Sequence, residues 1–347
     1  MPKTETLLIR ADASVATGTG HVMRCLALAQ AWQDVGGKAV IAMAEATPAI
    51  VERLHREKIE VVRLDVTPGS ADDAVQTCAL ARQWNSEWVT ADGYRFGAEY
   101  QVAIKSQGLH LLFIDDDGRA QNYSADLVLN QNAHATESLY EKRAGYTKLL
   151  LGPRYAVLRR EFASWRDWRR EIPAAGQRVL VTMGGSDPDN FTQRVIEGLR
   201  EVRAPRLEGH VVVGGSNPHR RSLEQALLGS PHALHLETNV VDMPALMSRC
   251  DMAVACAGTT SLEMCLMGLP AVLVDLAENQ TPIARELARR GIAIYPGSAR
   301  DVTLRQIATD VESLLSSAER RSRMSQLGRA LVDGKGAQRV VIELQHA

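Results

Sequence analysis

The residue best placed to do chemistry is His21, in the stretch "RADASVATGTGHVMRCLALAQ", where an apolar strand gives way to Gly18 and Gly20 and then to a helix. Glycines there let a backbone approach a ligand closely, and a helix start offers unpaired N–H groups to polar or anionic ligands. An imidazole in the first helical turn feels the positive end of the macrodipole, which acts against its protonated form, and a neutral imidazole can act as a general base. The plainer alternative is a histidine that caps or packs. A dinucleotide fingerprint would need a third glycine where Met23 stands, with Glu45 near the end of the second strand as its only other support.

The second half carries three polar turns. In "VTMGGSDPDNFTQRVIEGL", Gly184, Gly185 and Ser186 follow a strand, and Asp189 or Asn190 is expected to cap the next helix. In "CDMAVACAGTTSLEMCLMGLP", Gly258, Thr259 and Thr260 precede a helix holding Glu263, a setting that suits a diphosphate and a glutamate able to take both hydroxyls of a ribose. In "VDLAENQ", Glu278, Asn279 and Gln280 stand together at the carboxyl end of a strand, where open α/β sheets bind ligands. Each has a structural alternative: a tight turn, a solvated helix glutamate and a helix cap before Thr281. Asp115, Asp116 and Asp117 could hold a metal, but a turn before Gly118 explains them. His219, His232 and His235 lack zinc spacing, and neither a serine-hydrolase elbow nor a phosphate-binding P-loop motif occurs.

Short β-branched runs alternate with amphipathic stretches and must position these residues. Leu7 to Arg10, Ala39 to Ala42, Val61 to Leu64, Trp88 to Thr90 and Leu111 to Ile114 read as strands. After Gly20, Val22, Cys25, Leu26 and Ala29 mark one helix face, with Arg24 and Gln33 elsewhere. Crossovers of this length force parallel pairing, so a doubly wound sheet is expected. A charge run with Pro173 and Gly176 suggests a linker, after which Val179 to Thr182, Val211 to Val213, Met252 to Ala255, Ala271 to Val274 and Ile292 to Ile294 repeat the pattern. Leu304 to Gln345 reads as helices. The expected domains are 1–165, a linker at 166–177, 178–330 and a final helical segment at 331–347 that could pack back on the first. The expected fold class is α/β, two Rossmann-like domains facing each other across a cleft.

A length of 347 residues accommodates two such domains, and a formal net charge of -1 argues against a nucleic-acid footprint and for a small-molecule ligand. Five cysteines without a C-x-x-C pair indicate a reducing compartment. With no leader or spanning run in view, a cytoplasmic protein without a membrane span is expected.

Taken together, "RADASVATGTGHVMRCLALA", "GPRYAVLRREF" (Gly152 to Phe162), "TMGGSDPDN" and "GTTSLEMCLMGLPAVLVDLAENQ" resemble the UDP-2,4-diacetamido-2,4,6-trideoxy-β-L-altropyranose hydrolases of pseudaminic acid synthesis, relatives of the glycosyltransferases of B-type fold. The resemblance runs from about Leu7 past Gln280. It implies that His21, with Gly18, Gly20 and Arg24 beside it, activates water for attack on the anomeric carbon while UDP leaves, with inversion and without metal or cofactor. It also implies that Glu263 binds ribose, that Gly258 to Thr260 take the diphosphate, and that Glu278 and Asn279 face the ligand; Gly18, Gly20, Arg24, Gly184, Gly185, Ser186 and Gln280 are expected to bind substrate as well. Asp92 and Tyr94 of "TADGYRFG" match an aspartate and a tyrosine at the cleft, and Tyr155 lies in the matched hinge motif. Ala257, Leu262 and Met264 replace an expected glycine, tryptophan and arginine beside the nucleotide. The expected activity is hydrolysis of a UDP-sugar, against two alternatives: transfer to a sugar or lipid hydroxyl, and non-catalytic UDP-sugar binding.

Overall fold

The computed structural model describes residues 5–14, 17–185, 187–215, 217–238 and 240–346. The chain divides into two compact units, Met1–Arg160 with Gly334–Ala347, and Glu161–Asp333.

The first unit holds β1 (Thr6–Ala11), β2 (Lys38–Met43), β3 (Glu60–Arg63), β4 (Trp88–Asp92), β5 (His110–Ile114), β6 (Leu127–Asn130) and β7 (Lys148–Leu151). They form one parallel sheet in the order β3-β2-β1-β4-β5-β6-β7. Its helices are α1 (Gly20–Asp34), α2 (Pro48–Arg56), α3 (Ala71–Gln83) and α4 (Ala98–Ser106). Every residue of β1 is buried, because successive side chains enter opposite layers. Leu7, Ile9 and Ala11 pack with α1 and α2, whereas Leu8 joins the core built with α3 and α4.

Arg10 shares the Leu8 face and therefore meets α3. Its Nε and Nη2 each donate to Asp73 at 2.9 Å, and neither side chain is exposed. Asp12 stands 2.8 Å from the same guanidinium, and the Phe96 ring lies 5.1 Å from it. Burial opposes the Arg10 charge, but Asp73 and Asp12 outweigh it and raise its pKa.

The second unit holds β8 (Arg178–Thr182), β9 (Glu208–Val213), β10 (Ala233–Thr238), β11 (Met252–Cys256), β12 (Ala271–Asp275) and β13 (Ala293–Ser298), all parallel in the order β10-β9-β8-β11-β12-β13. Its helices are α5 (Phe191–Arg200), α6 (Arg220–Leu227), α7 (Met243–Arg249), α8 (Thr260–Leu266), α9 (Thr281–Arg289), α10 (Leu304–Ser316) and α11 (Ala318–Leu331). The last helix, α12 (Gly336–His346), belongs to the first unit, where Ala337, Val340, Val341 and Leu344 enter the core beside α1. With sheet on one side and α12 on another, α1 is buried over most of its circumference, beyond the single apolar face read from its sequence.

Residues 166–177, expected as a linker, lie inside the second unit. Arg170 donates to the carbonyls of Met247 (2.8 Å), Met267 (3.2 Å) and Cys250 at the ends of α7 and α8. Arg329 bridges Leu266 O (2.7 Å) to Arg166 O (2.6 Å), and Arg321 bridges Leu315 O (2.6 Å) to Pro173 O (2.5 Å). Three arginines thus fill orphan carbonyls at helix ends and fasten the segment there.

Replacing Asp73 with Ala leaves the Arg10 guanidinium buried without its bidentate partner. A loss of about 3–5 kcal/mol is expected in chemical denaturation, and a loss below about 1 kcal/mol would show that Asp12 alone compensates the charge.

Candidate active site

In the first sheet the strand order reverses between β1 and β4, and open α/β sheets bind ligands at the carboxyl ends of such strands. His21, in the first turn of the helix after β1, and Asp92, the last residue of β4, meet there. His21 Nδ1 lies 2.7 Å from Asp92 Oδ1, with the histidine 8% and the aspartate 0% exposed. Arg24, one turn on, donates to Asp92 Oδ2 through Nε and to Oδ1 through Nη2, both at 2.6 Å, and to Asp116 Oδ1 through Nη1 at 2.7 Å. Tyr94 completes the wall, its ring edge-on to the His21 ring at 4.6 Å and its hydroxyl donating to Asp116 at 3.4 Å. His21, Arg24 and Tyr94, with Asp115, Asp116 and Arg119, line a cavity of about 70 Å³, room enough for water.

The electrostatics are those of one cation shared by two carboxylates. Burial alone would raise Asp92, but Arg24 and His21 outweigh it and hold the carboxyl below the ordinary range. Asp116 follows the same rule through Arg24. Burial and then Asp116 raise the Tyr94 phenol, which therefore remains a donor. An ionised Asp92 only accepts hydrogen bonds, so His21 Nδ1 carries a proton toward it and Nε2 is the ring nitrogen left for proton exchange. Among the described residues no hydrogen bond engages Nε2.

Sequence reasoning missed a supporting layer. Asn132 donates to Asp116 Oδ1 at 2.8 Å, and Asn130 donates to Asp116 O at 3.0 Å and to the Tyr140 hydroxyl at 2.8 Å. His134 Nε2 also lies 3.1 Å from Asp116 O. The signal was "LVLNQNAH", an apolar run ending in amides at the carboxyl end of a strand, but β6 itself had gone unread.

Gly18, at φ 75°, donates from its backbone N–H to Ser14 O at 2.9 Å, and Gly20 opens α1 with open space where a Cβ would stand. Tyr155 lies elsewhere, packed on the core beside α12, where a Cβ on Gly336 would come within 2.5 Å of the Tyr155 carbonyl carbon.

In the second unit the order reverses between β8 and β11, and the predicted polar turns gather there. Gly184, at φ 84°, approaches Cys256, its ideal Cβ standing 3.6 Å from the sulfur. Gly185 lies so near Gly214 that a Cβ on the latter would fall 2.4 Å from its carbonyl oxygen. Ser186 is outside the described residues. The loop Gly258–Thr260 leads into α8, and Glu263 in its first turn is buried rather than solvated. Glu278, Asn279 and Gln280 form a single turn after β12, Glu278 exposed, with Gln280 Oε1 accepting from Leu276 N at 2.9 Å and its Nε2 4.0 Å from a Cβ on Gly258. Asn190, one of the two expected caps, holds the cap position of α5, but in a left-handed conformation and without a side-chain capping bond. Asp187 instead accepts from the N–H groups of Phe191 and Thr192, both at 2.9 Å. No group of three His, Cys, Asp or Glu suited to a metal occurs among the described residues.

No family model matches the chain. It is 27% identical over 247 residues to the spore coat polysaccharide biosynthesis protein SpsG of Bacillus subtilis, covering 71% of each. It is 23% identical over 291 residues to the UDP-2,4-diacetamido-2,4,6-trideoxy-β-L-altropyranose hydrolase of Campylobacter jejuni, covering 83% of this chain and 98% of that protein. The crystal structure of MurG from Acinetobacter baumannii superposes with a TM-score of 0.68 at 18% identity, over 99% of this chain and 100% of that one. The fold is the glycosyltransferase B-type fold, two parallel α/β sheets in one chain. Within it, the likeness to the altropyranose hydrolase covers most of the chain.

Asp92 stabilises the fold as an anion, so its contribution is fully present above its unfolded pKa of about 3.9 and disappears as pH falls through the lowered folded value. In acid titrations of unfolding free energy, Asp92→Asn is expected to flatten the limb below about pH 4. An unchanged slope would remove Asp92 from the set of native-state anions.

Proposed function

We propose that this chain is a UDP-sugar hydrolase in which His21 is the general base. Water attacks the anomeric carbon, His21 Nε2 takes its proton, and the bond from that carbon to the diphosphate oxygen breaks with its electron pair passing to UDP. The anomeric carbon is inverted, and the reading invokes no metal. The observation that carries it is the His21–Asp92 contact at 2.7 Å: it fixes the imidazole with its basic nitrogen unengaged, in a cavity that admits water. Arg24 organises the carboxylates around that pair. In the second unit, the Gly184–Gly185 and Gly258–Thr260 turns, Glu263 and the Glu278–Gln280 turn are proposed to hold the nucleotide, with Ser186 carried over from the motif alone. The altropyranose-hydrolase name of one relative supports this substrate class. The proposed sugar is the 2,4-diacetamido-2,4,6-trideoxy-altropyranose of that name, and a cytoplasmic site of action goes with the reading. No described helix is long and apolar enough to cross a membrane.

A general base contributes typically about 10²- to 10⁴-fold, so His21→Gln is expected to lose that much turnover while keeping its affinity for UDP. In heavy-oxygen water the label is expected in the free sugar, and label in UDP would mean attack at phosphorus. UDP release that requires an added acceptor would assign transfer instead, and binding without release would assign a non-catalytic receptor.

A further inference from the structure

Two opposite charges meet His21 at one atom. Asp92 Oδ1 lies 2.7 Å from Nδ1, and Arg24 Nη2 lies 3.2 Å from the same nitrogen. A buried carboxylate at that distance favours the imidazolium. A guanidinium only donates, so against a nitrogen that already carries a proton toward Asp92 it acts the other way. Arg24 is held in this place: it is 5% exposed, and Asp92 and Asp116 engage its Nε and both terminal nitrogens.

The other ionisable groups around the ring have partners of their own. Asp116 accepts from Arg24, Asn132 and the Tyr94 hydroxyl, and its carbonyl lies against His134. Asp115 accepts from the Gly118 N–H and the Tyr123 hydroxyl, and Asp117 pairs with Arg119. The Cys25 sulfur lies 3.4 Å from Asp92 Oδ2, and burial keeps its thiol protonated. Among the described residues, Arg24 is thus the cation within hydrogen-bonding distance of the ring.

We propose that Arg24 sets the proton affinity of His21, offsetting the pull of Asp92 so that the ring stays able to take a proton from water. It is a positioning residue, acting on the reaction through His21. The inference rests on the reading of His21 as the base of a UDP-sugar reaction and adds what tunes that base. Without Arg24, two buried carboxylates would face the ring and hold it as their imidazolium counter-ion, and a base already protonated takes no proton from water.

NMR titration of histidine-labelled protein follows the His21 ring, its signal identified by its loss in His21→Gln. Removing a cation beside the ring favours the protonated form, so Arg24→Gln is expected to raise the titration midpoint by about one pH unit or more. Arg24→Lys keeps the charge and is expected to raise it less. If Arg24→Gln does not fold, Asp116→Asn is compared with Arg24→Gln combined with Asp116→Asn, which has one carboxylate fewer to bury; the combined variant is expected to titrate higher by about one unit or more. A purely structural Arg24 would lower the melting temperature and leave the midpoint in place, and that result overturns the assignment. With UDP-2,4-diacetamido-2,4,6-trideoxy-altropyranose as donor, the acid limb of kcat/KM for UDP release is expected to move up with the ring, so the loss in Arg24→Gln is greatest at acid pH. The reading of His21 fails separately, by full UDP release from the His21→Gln protein.

Discussion

The Asp92 carboxylate is the interaction around which the first unit's site is arranged. It sits at the end of a buried strand with no exposure, accepting from Arg24 twice and from His21 once. A lone charge so placed would neutralise itself by taking a proton. It stays ionised because Arg24 cannot leave: a second carboxylate, Asp116, holds the same guanidinium, and the β6 amides hold Asp116. Each member is costly to bury singly and is compensated only while the others are in place. The imidazole gains its orientation from a network that touches it at one atom.

The two units solve the same topological problem with different chemistry. Each has its strand reversal beside the first strand of its sheet. In the first unit the reversal is filled with charges that satisfy one another, leaving spare capacity at His21 Nε2. In the second it is lined by glycines, threonines and amides, with backbones in close approach at Gly185 and Gly214. One arrangement suits proton transfer and the other suits wrapping a large polar ligand.

Much of this was legible in the sequence, for identifiable reasons. Central strands such as β1, β8 and β11 are buried on both faces and read as unbroken apolar runs. Strands β6 and β7 are only four residues long, and β10 is an edge strand carrying His235 and Glu237, so none produced a clear pattern. His21, the glycines and the polar turns stood out because strand-to-helix turns concentrate at carboxyl ends of strands. Long-range partnerships did not: the spacing of Arg24 suggested a helix's polar side, and only the fold shows it buried between Asp92 and Asp116.

The docking of α12 against α1 gives the first unit a discontinuous core. Val340, Val341 and Leu344 cover a helix laid down more than 300 residues earlier, the helix that carries His21. During synthesis the first sheet can form as its strands emerge, yet its apolar flank stays uncovered until the second unit has been made. The nascent chain must therefore protect that flank while the whole second unit is made, and the base reaches its final setting only after α12 has followed it.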